Sequence, residues 1–177
     1  MKEKIYNYNN LTDNDINDYV IRVKAIIINS KKELLLGEAF GTVQYPGGHR
    51  ENNESLSDAL IREIKEETGI SLNGSYEPFF AIKYYLKDYP VVGNNRSTEI
   101  YYFYIFTDEV YNLDKTNFDD EERSGNFKLF YLPLKNLKKC LKKYEKRQEI
   151  NKIINREMFM AMKVLKKEGI KNVRKKI

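Results

Sequence analysis

Residues 48–70 read GHRENNESLSDALIREIKEETGI, a glycine and a polar loop followed by a helix-like segment rich in carboxylates. A helix has about 3.6 residues per turn, so Glu63, Glu66 and Glu67 fall on one face of it. Like charges at this spacing destabilise a helix by roughly a few tenths of a kcal/mol. The crowding is explained if a hard divalent cation neutralises the three carboxylates.

The residues around the three glutamates decide between a metal site and an ordinary acidic surface. Alone, the run REIKEE is typical of a solvated helix face. Residues 46–48, Pro-Gly-Gly, end an extended segment, let the backbone approach a ligand closely and leave a carbonyl free to point into the site. Arg62 lies four residues before Glu66 and next to Glu63, so its guanidinium can offset the repulsion and fix a rotamer. Together these features favour a metal site.

Oxygen ligands of this kind favour Mg²⁺, with Mn²⁺ as the other candidate, over zinc. Such a cation can polarise a phosphoryl oxygen and lower the pKa of a bound water for attack on phosphorus. The residues therefore point to phosphate chemistry.

The whole string resembles the Nudix box. That pattern is Gly, five residues, Glu, seven residues, Arg-Glu, an aliphatic residue, any residue, Glu-Glu, any residue, Gly and an aliphatic residue. Every fixed position is filled here, by Gly48, Glu54, Arg62, Glu63, Ile64, Glu66, Glu67, Gly69 and Ile70.

The resemblance implies an α/β fold, an α/β/α sandwich around a central mixed β-sheet. It also implies a pyrophosphohydrolase, an enzyme that cleaves a nucleoside diphosphate linked to another moiety by water attack on phosphorus. Glu63, Glu66 and Glu67, with the Gly47 carbonyl, would bind one or more Mg²⁺ ions, and Arg62 would orient Glu63. Glu54 lies outside the three-carboxylate face and would shape the loop or contact metal through water.

Members of the family often use a further acidic residue, later in the chain, as metal ligand or catalytic base. The sequence over residues 114–125 is predicted to be an acidic loop and supplies four candidates. Of these we favour Glu121 or Glu122, and we include Glu122 in the predicted catalytic set. A surface loop of acids is also commonly no more than solvated. The candidates are Asp119, Asp120, Glu121, Glu122 and, on a strand, Glu99.

The bulk composition indicates a globular chain, with 41% hydrophobic and 32% charged residues among 177. Cys140 is the only cysteine, which excludes an internal disulfide framework and is compatible with a reducing compartment. The N-terminus lacks the apolar core of a signal peptide, and no apolar run reaches transmembrane length. We expect a cytoplasmic protein with no membrane partner. Because many family members are dimers, a homodimer is possible.

Basic residues are concentrated at the C-terminal end. Residues 1–134 hold 15 Lys+Arg against 22 Asp+Glu, whereas residues 135–177 hold 16 against 4. A lysine-coated solvated helix face is the ordinary explanation. The alternative is a patch that attracts RNA, which would suit a hydrolase acting on RNA 5′ ends. For the function of the whole chain, a regulatory module that binds a nucleotide without turnover is a further alternative to a hydrolase.

Hydrophobic patterns predict the elements of a single domain over residues 1–177, with a core at about 20–140 and a basic helical part at 135–177 packed on it. A predicted hairpin over 20–40 leads to a short extended segment at 42–45, and the box helix covers 55–68. Strands are predicted at 79–86, 99–107 and 127–132. We expect the apolar stripe of the C-terminal helices to be core; its residues are Ile150, Ile153, Ile154, Met158, Met162 and Leu165.

Overall fold

The computed structural model describes residues 1–118, 124 and 126–168. Its strands are β1 (Lys2–Tyr6), β2 (Asp18–Ile28), β3 (Glu33–Ala39), β4 (Thr42–Gln44), β5 (Phe80–Leu86), β6 (Arg96–Phe106) and β7 (Lys128–Pro133). Its α-helices are α1 (Leu56–Thr68), α2 (Leu137–Glu145) and α3 (Ile150–Glu168). No helix in these ranges is long and apolar enough to cross a membrane.

The described strands form one mixed sheet in the order β1-β5-β6-β2-β3-β4, with β7 paired to β3. β2 and β6 run parallel through eleven residue pairs, from Asp18↔Arg96 to Ile28↔Phe106. β1 is parallel to β5, and the other pairings are antiparallel. The long β2–β6 pair is the centre of the sheet.

Helices cover both faces of this sheet. On one face α1 buries Leu60 and Ile64 against alternate residues of β2 and against Phe103. On the other face α2 and α3 bury Leu141 and Met162 against Ile26 and its neighbours. The sequence-based prediction of an α/β/α sandwich with a mixed sheet and C-terminal helices is confirmed. The domain limits at 20–140 and 135–177 stay a prediction.

The stripe predicted for the C-terminal helix is wrong at its first two positions. Ile150 and Ile153 are 49% and 46% exposed, while Asn151 and Asn155 are buried. Each asparagine donates its side-chain amide to a carbonyl of α2, at 2.8 Å, with Tyr144 and Leu141 as the acceptors. With these hydrogen bonds formed, the asparagines lie on the buried face of α3, and Ile150 and Ile153 lie on its exposed face. Met158, Met162 and Leu165 are buried as predicted, and Ile154 packs against the same core.

The first strand is not apparent from the sequence. β1 reads KEKIY, and four of its five residues are exposed. It is an edge strand that pairs with β5 through its backbone, and charged side chains are usual on such edges. β6 begins at Arg96, three residues before the predicted start at 99.

Candidate functional site

The segment that follows β4 lies along β2 and brings two glycines against its centre. The amides of Val23 and Ala25 donate to the carbonyls of Gly48 and Pro46, both at 2.9 Å. Gly47, between these acceptors, has φ +122°, and a Cβ there would lie 2.3 Å from the Val23 carbonyl oxygen. Glycine is therefore required at this position by the conformation and by the close approach of the two backbones.

Gly47 contacts a buried cation and a buried carboxylate. Its carbonyl accepts a hydrogen bond from the ammonium of Lys24, a buried residue between the apolar residues Val23 and Ala25 of β2. Its amide donates to Glu67 Oε2 at 2.7 Å. The carbonyl therefore has one partner already, but its oxygen has two lone pairs and can accept a second. The role of the carbonyl as a metal ligand stays a prediction.

Helix α1 presents its apolar side to the sheet and its carboxylates to the glycine turn. Ser55 caps the start of the helix, since its side chain accepts a hydrogen bond from the amide of Asp58 at 3.0 Å. Gly69, with φ +70°, ends the helix in the left-handed conformation. Leu60 and Ile64 are fully buried, which fixes the rotation of the helix about its axis.

The loop after β6 holds the C-terminal end of α1. The amide of Asn112 donates to the Thr68 carbonyl, and the amide of Asn117 donates to the Glu66 carbonyl, both at 2.9 Å. Helix carbonyls at this end otherwise lack partners. The last turn, which carries two of the three glutamates, is therefore fixed by contacts from outside the helix.

Arg62 is the centre of a network of carboxylates. Its Nε and one terminal nitrogen donate to the two oxygens of Glu54, at 2.7 and 3.0 Å. The terminal nitrogen that bonds Glu54 also donates to the His49 carbonyl at 2.8 Å. The other terminal nitrogen donates to Glu63 at 2.9 Å and to Glu66 at 3.0 Å. The hydrogen bonds from Arg62 hold the pKa of Glu54 below its usual range. The predicted contacts of Arg62 with Glu63 and Glu66 are present. Glu54 also accepts a hydrogen bond from the loop amide of Glu51 at 3.0 Å, and its role in shaping the loop or contacting metal through water stays a prediction.

The other carboxylates differ in their burial. Glu67 is 4% exposed, whereas the side chain of Glu66 is 34% exposed. Glu63 packs against Gly48 so closely that a Cβ on that glycine would lie 2.4 Å from its Oε2. Burial raises the pKa of Glu63, against the opposing effect of the Arg62 hydrogen bond.

These groups line one cavity of about 400 Å³. The charged part of its lining, called the charged end below, contains Glu63, Glu66 and Glu67 together with the cationic side chains of Arg22, Lys24 and Arg62. His49 accepts a hydrogen bond from Arg22 Nε at 3.0 Å through its Nε2. A second part of the lining is apolar apart from one amide. It consists of Ala39, Phe40, Gln44 and Phe127.

The donor set fits a hard divalent cation by its chemistry, although it is not a closed coordination shell. Among the residues that the structure describes, no three acidic, histidine or cysteine side chains are gathered closely enough to hold a metal ion. Oxygens of Glu63 and Glu66 accept from the same Arg62 nitrogen, and the Lys24 ammonium lies at the Gly47 carbonyl. All of these ligand atoms are oxygens, which Mg²⁺ and Mn²⁺ prefer.

The predicted downstream acids are placed differently. Asp119, Asp120, Glu121 and Glu122 lie outside the described residues, and their roles stay predictions. Glu99 is described, but it does not line the cavity. It pairs with Lys83 at 3.1 Å and accepts a hydrogen bond from Tyr101 at 2.6 Å. Those contacts account for its charge without a metal.

Sequence reasoning missed the residues that β2 and the β3–β4 hairpin bring to the cavity. Arg22 and Lys24 carried a usable signal, because two charges inside the run VIRVKAIII are unusual for a buried strand. Phe40, Gln44 and Phe127 had none, since aromatic and amide residues are common at strand ends.

Comparisons with known proteins agree with the fold and the box. The family model of the NUDIX domain matches residues 18–154. The RNA pyrophosphohydrolase of Orientia tsutsugamushi (strain Boryong) is 41% identical over 73 residues, which are 39% of this chain and 42% of that protein. The 8-oxo-dGDP phosphatase NUDT18 of Danio rerio is 43% identical over 53 residues, 27% of this chain and 16% of that protein. The matched region thus spans less than half the length of these relatives.

Among solved structures, the MutT protein from Bacillus halodurans has a TM-score of 0.51 and 21% sequence identity, over 67% of this chain and 71% of that one. This similarity concerns the fold alone. The family match, by contrast, extends from the start of β2 into α3 and includes the complete box. On that match, the chain belongs to the NUDIX domain family.

Proposed function

We propose that this protein is a divalent-metal-dependent hydrolase that cleaves the pyrophosphate linkage of a nucleoside diphosphate joined to another moiety. One observation carries the proposal: the three box glutamates, the Gly47 backbone and a set of cationic side chains line a single cavity. Adjacent negative and positive groups suit a substrate whose phosphates are partly neutralised by a bound cation. Membership of the NUDIX domain family supports the same reaction.

Each part of the charged end has a distinct role in this proposal. Glu63, Glu66 and Glu67, with the Gly47 carbonyl, would hold Mg²⁺ or Mn²⁺. When bound, the cation neutralises phosphoryl oxygens and lowers the pKa of a water for attack on phosphorus. Arg62 is a positioning residue, since one of its nitrogens orients both Glu63 and Glu66.

Two cations of β2 would bind the substrate in this proposal. Arg22 and Lys24 line the cavity beside the glutamates, and their donors suit phosphate oxygens. A guanidinium and an ammonium there would bind the phosphate chain and stabilise the charge that develops on the leaving group. Glu122 remains our candidate for the general base.

The test is a screen of nucleoside di- and triphosphates and nucleoside diphosphate conjugates, with Mg²⁺ or Mn²⁺ and with chelator. Release of a nucleoside monophosphate with either cation, abolished by chelator, is the expected result. Binding of a nucleotide with no product at any metal concentration would instead identify a regulatory module. The proposal would be refuted if the protein neither binds nor hydrolyses any compound of the set.

An RNA 5′ end is a second candidate substrate, favoured by the similarity to an RNA pyrophosphohydrolase. Three lysines of α2 and its C-terminal end are exposed and recur every fourth residue, so they form one cationic row; they are Lys138, Lys142 and Lys146. A row of this kind would contact phosphates of the chain beyond the 5′ end.

Charge reversal of the three lysines tests this candidate. If RNA binds along α2, the triple change to glutamate lowers affinity for a 5′-triphosphate RNA by at least about tenfold and reduces the slope of log affinity against log salt by about 2. Hydrolysis of a mononucleotide should not change. Reversal of Lys4, Lys31 and Lys87, exposed lysines on other elements, is the matched control. Equal RNA affinity and salt dependence in all three proteins would contradict an RNA-binding role for α2.

A further inference from the structure

The turn that joins β3 to β4 has an unfavourable residue at its tip. Ala39 pairs with Thr42, so Phe40 and Gly41 form a two-residue hairpin loop. Both have positive φ, at 49° and 74°, as a type I′ turn requires. Asparagine or glycine normally occupies the first of these positions, because a bulky side chain is strained in the left-handed region.

Packing does not compensate for this strain, because the Phe40 side chain remains largely in solvent. The residue is 54% exposed. Its backbone, however, is held firmly: the Gln148 side-chain amide donates to the Phe40 carbonyl at 2.7 Å, and that of Asn151 donates to the Gly41 carbonyl at 3.1 Å. The fold thus anchors the turn and leaves the ring free on the surface. Backbone strain that persists in this way is commonly found at binding sites.

The position of the ring suggests what it binds. Phe40 lines the same cavity as Glu63, Glu66 and Glu67 and belongs to the apolar part of its lining. Phe127 lines the same cavity and is seated so closely on β3 that a Cβ on Gly37 would be 2.7 Å from its ring. Gln44 adds an amide with both a donor and an acceptor. The charged part of the lining therefore suits phosphates, and the apolar part suits a flat aromatic group with polar edges.

We propose that Phe40 is the platform on which the base of the substrate stacks, with Phe127 beside it and Gln44 in reach of the base edge. The inference rests on the proposed function, since it assigns the second half of the same substrate. Stacking of one base on an aromatic ring is worth about 5- to 150-fold in affinity. Phe40 acts in binding only, because a phenyl ring has no group that could transfer a proton or hold a metal ion.

The variant Phe40→Asn separates this role from a structural one. Asn-Gly is the preferred sequence of a type I′ turn, so Tm should rise by roughly 2–4 °C. If Phe40 stacks on the base, KM for the best nucleotide rises about 5- to 50-fold with kcat changed less than about twofold. Phe40→Tyr keeps an aromatic ring at this position and should have the KM of wild type. Phe106→Asn, at an exposed phenylalanine outside the cavity, is the control and should leave KM unchanged.

A base-free probe completes the test. Ribose carrying the same 5′-phosphate chain should inhibit wild type and Phe40→Asn equally, whereas a non-hydrolysable nucleotide analogue should bind Phe40→Asn more weakly. Unchanged KM and unchanged analogue affinity in Phe40→Asn, with wild type active, would overturn the inference and leave the proposed function standing.

A change of oligomeric state with unchanged KM would assign the ring to a protein contact and also overturn it. If wild type binds the analogue without turnover, the proposed function fails, and the analogue affinities alone decide the role of Phe40. Wild-type protein that binds no nucleotide would overturn both.

Discussion

Glu67→Gln should lower kcat for nucleotide hydrolysis by about 10²- to 10⁴-fold while the protein stays folded. Glu67 is buried and accepts a hydrogen bond from the Gly47 amide at 2.7 Å. Glutamine retains an oxygen that can accept this bond, so the contact between α1 and the glycine turn is kept. It removes the negative charge on which cation binding and water activation depend. Turnover in a metal titration, together with Tm, measures both effects.

Glu51→Gln is the matched control for this change. Glu51 lies at the rim of the same cavity, with its side chain 70% exposed and only a 4.0 Å contact with Arg62. The same substitution there should change kcat less than about threefold, as for most exposed charges. Equal activity of Glu67→Gln and wild type would refute the proposed role of the carboxylates. A comparable loss in both variants would mean that the overall charge of the cavity, rather than Glu67 itself, controls turnover.

Gly47→Ala should destabilise the protein by about 4 kcal/mol or more, enough to unfold a chain of ordinary stability. The new Cβ would lie 2.3 Å from the Val23 carbonyl oxygen and 3.1 Å from the Lys24 Cα. Both atoms belong to the backbone of β2, which is paired with β6 along its whole length and cannot move aside. Urea unfolding measures the loss.

Gly74→Ala separates the clash from the backbone conformation. Gly74 also has a positive φ, at 98°, but nothing lies within 4 Å of a Cβ built there. Its substitution should therefore cost only the strain of the left-handed region, about 1–2 kcal/mol. Similar losses in the two variants would show that Gly47 is required for its φ alone and that the close approach to β2 is unimportant.

The parts of the site that could be predicted are those that are local in sequence. The start and end of α1 follow from Ser55 and Gly69, because capping depends on residues adjacent to the helix. The contact of Arg62 with Glu66 follows from helical spacing, which places residues four apart on the same face. The box sequence therefore predicts the start of α1, its end and the contact between Arg62 and Glu66.

The remaining parts depend on which strands lie side by side, and helical spacing contains no such information. Lys24 reaches Gly47 only because residues 46–50 run along β2, a pairing that joins chain segments about twenty residues apart. Phe40 faces the cavity because α3 supplies Asn151 to hold the turn. In the same way, Asn155 is buried because α2 presents a carbonyl to it. Each is a tertiary contact that overrides a local preference.

The central β2–β6 pair has a consequence for the order in which a growing chain acquires its site. Every residue of the charged end lies between Arg22 and Glu67, and all the box residues are synthesised before Arg96, where β6 begins. Val23, beside Lys24, pairs with Tyr101, and parallel pairing between such distant residues is slow to form. A nascent chain therefore carries all its box carboxylates before it has the strand that supports β2. If the proposed function is right, the ability to bind a metal ion should appear late in synthesis, with a strand none of whose residues lines the cavity.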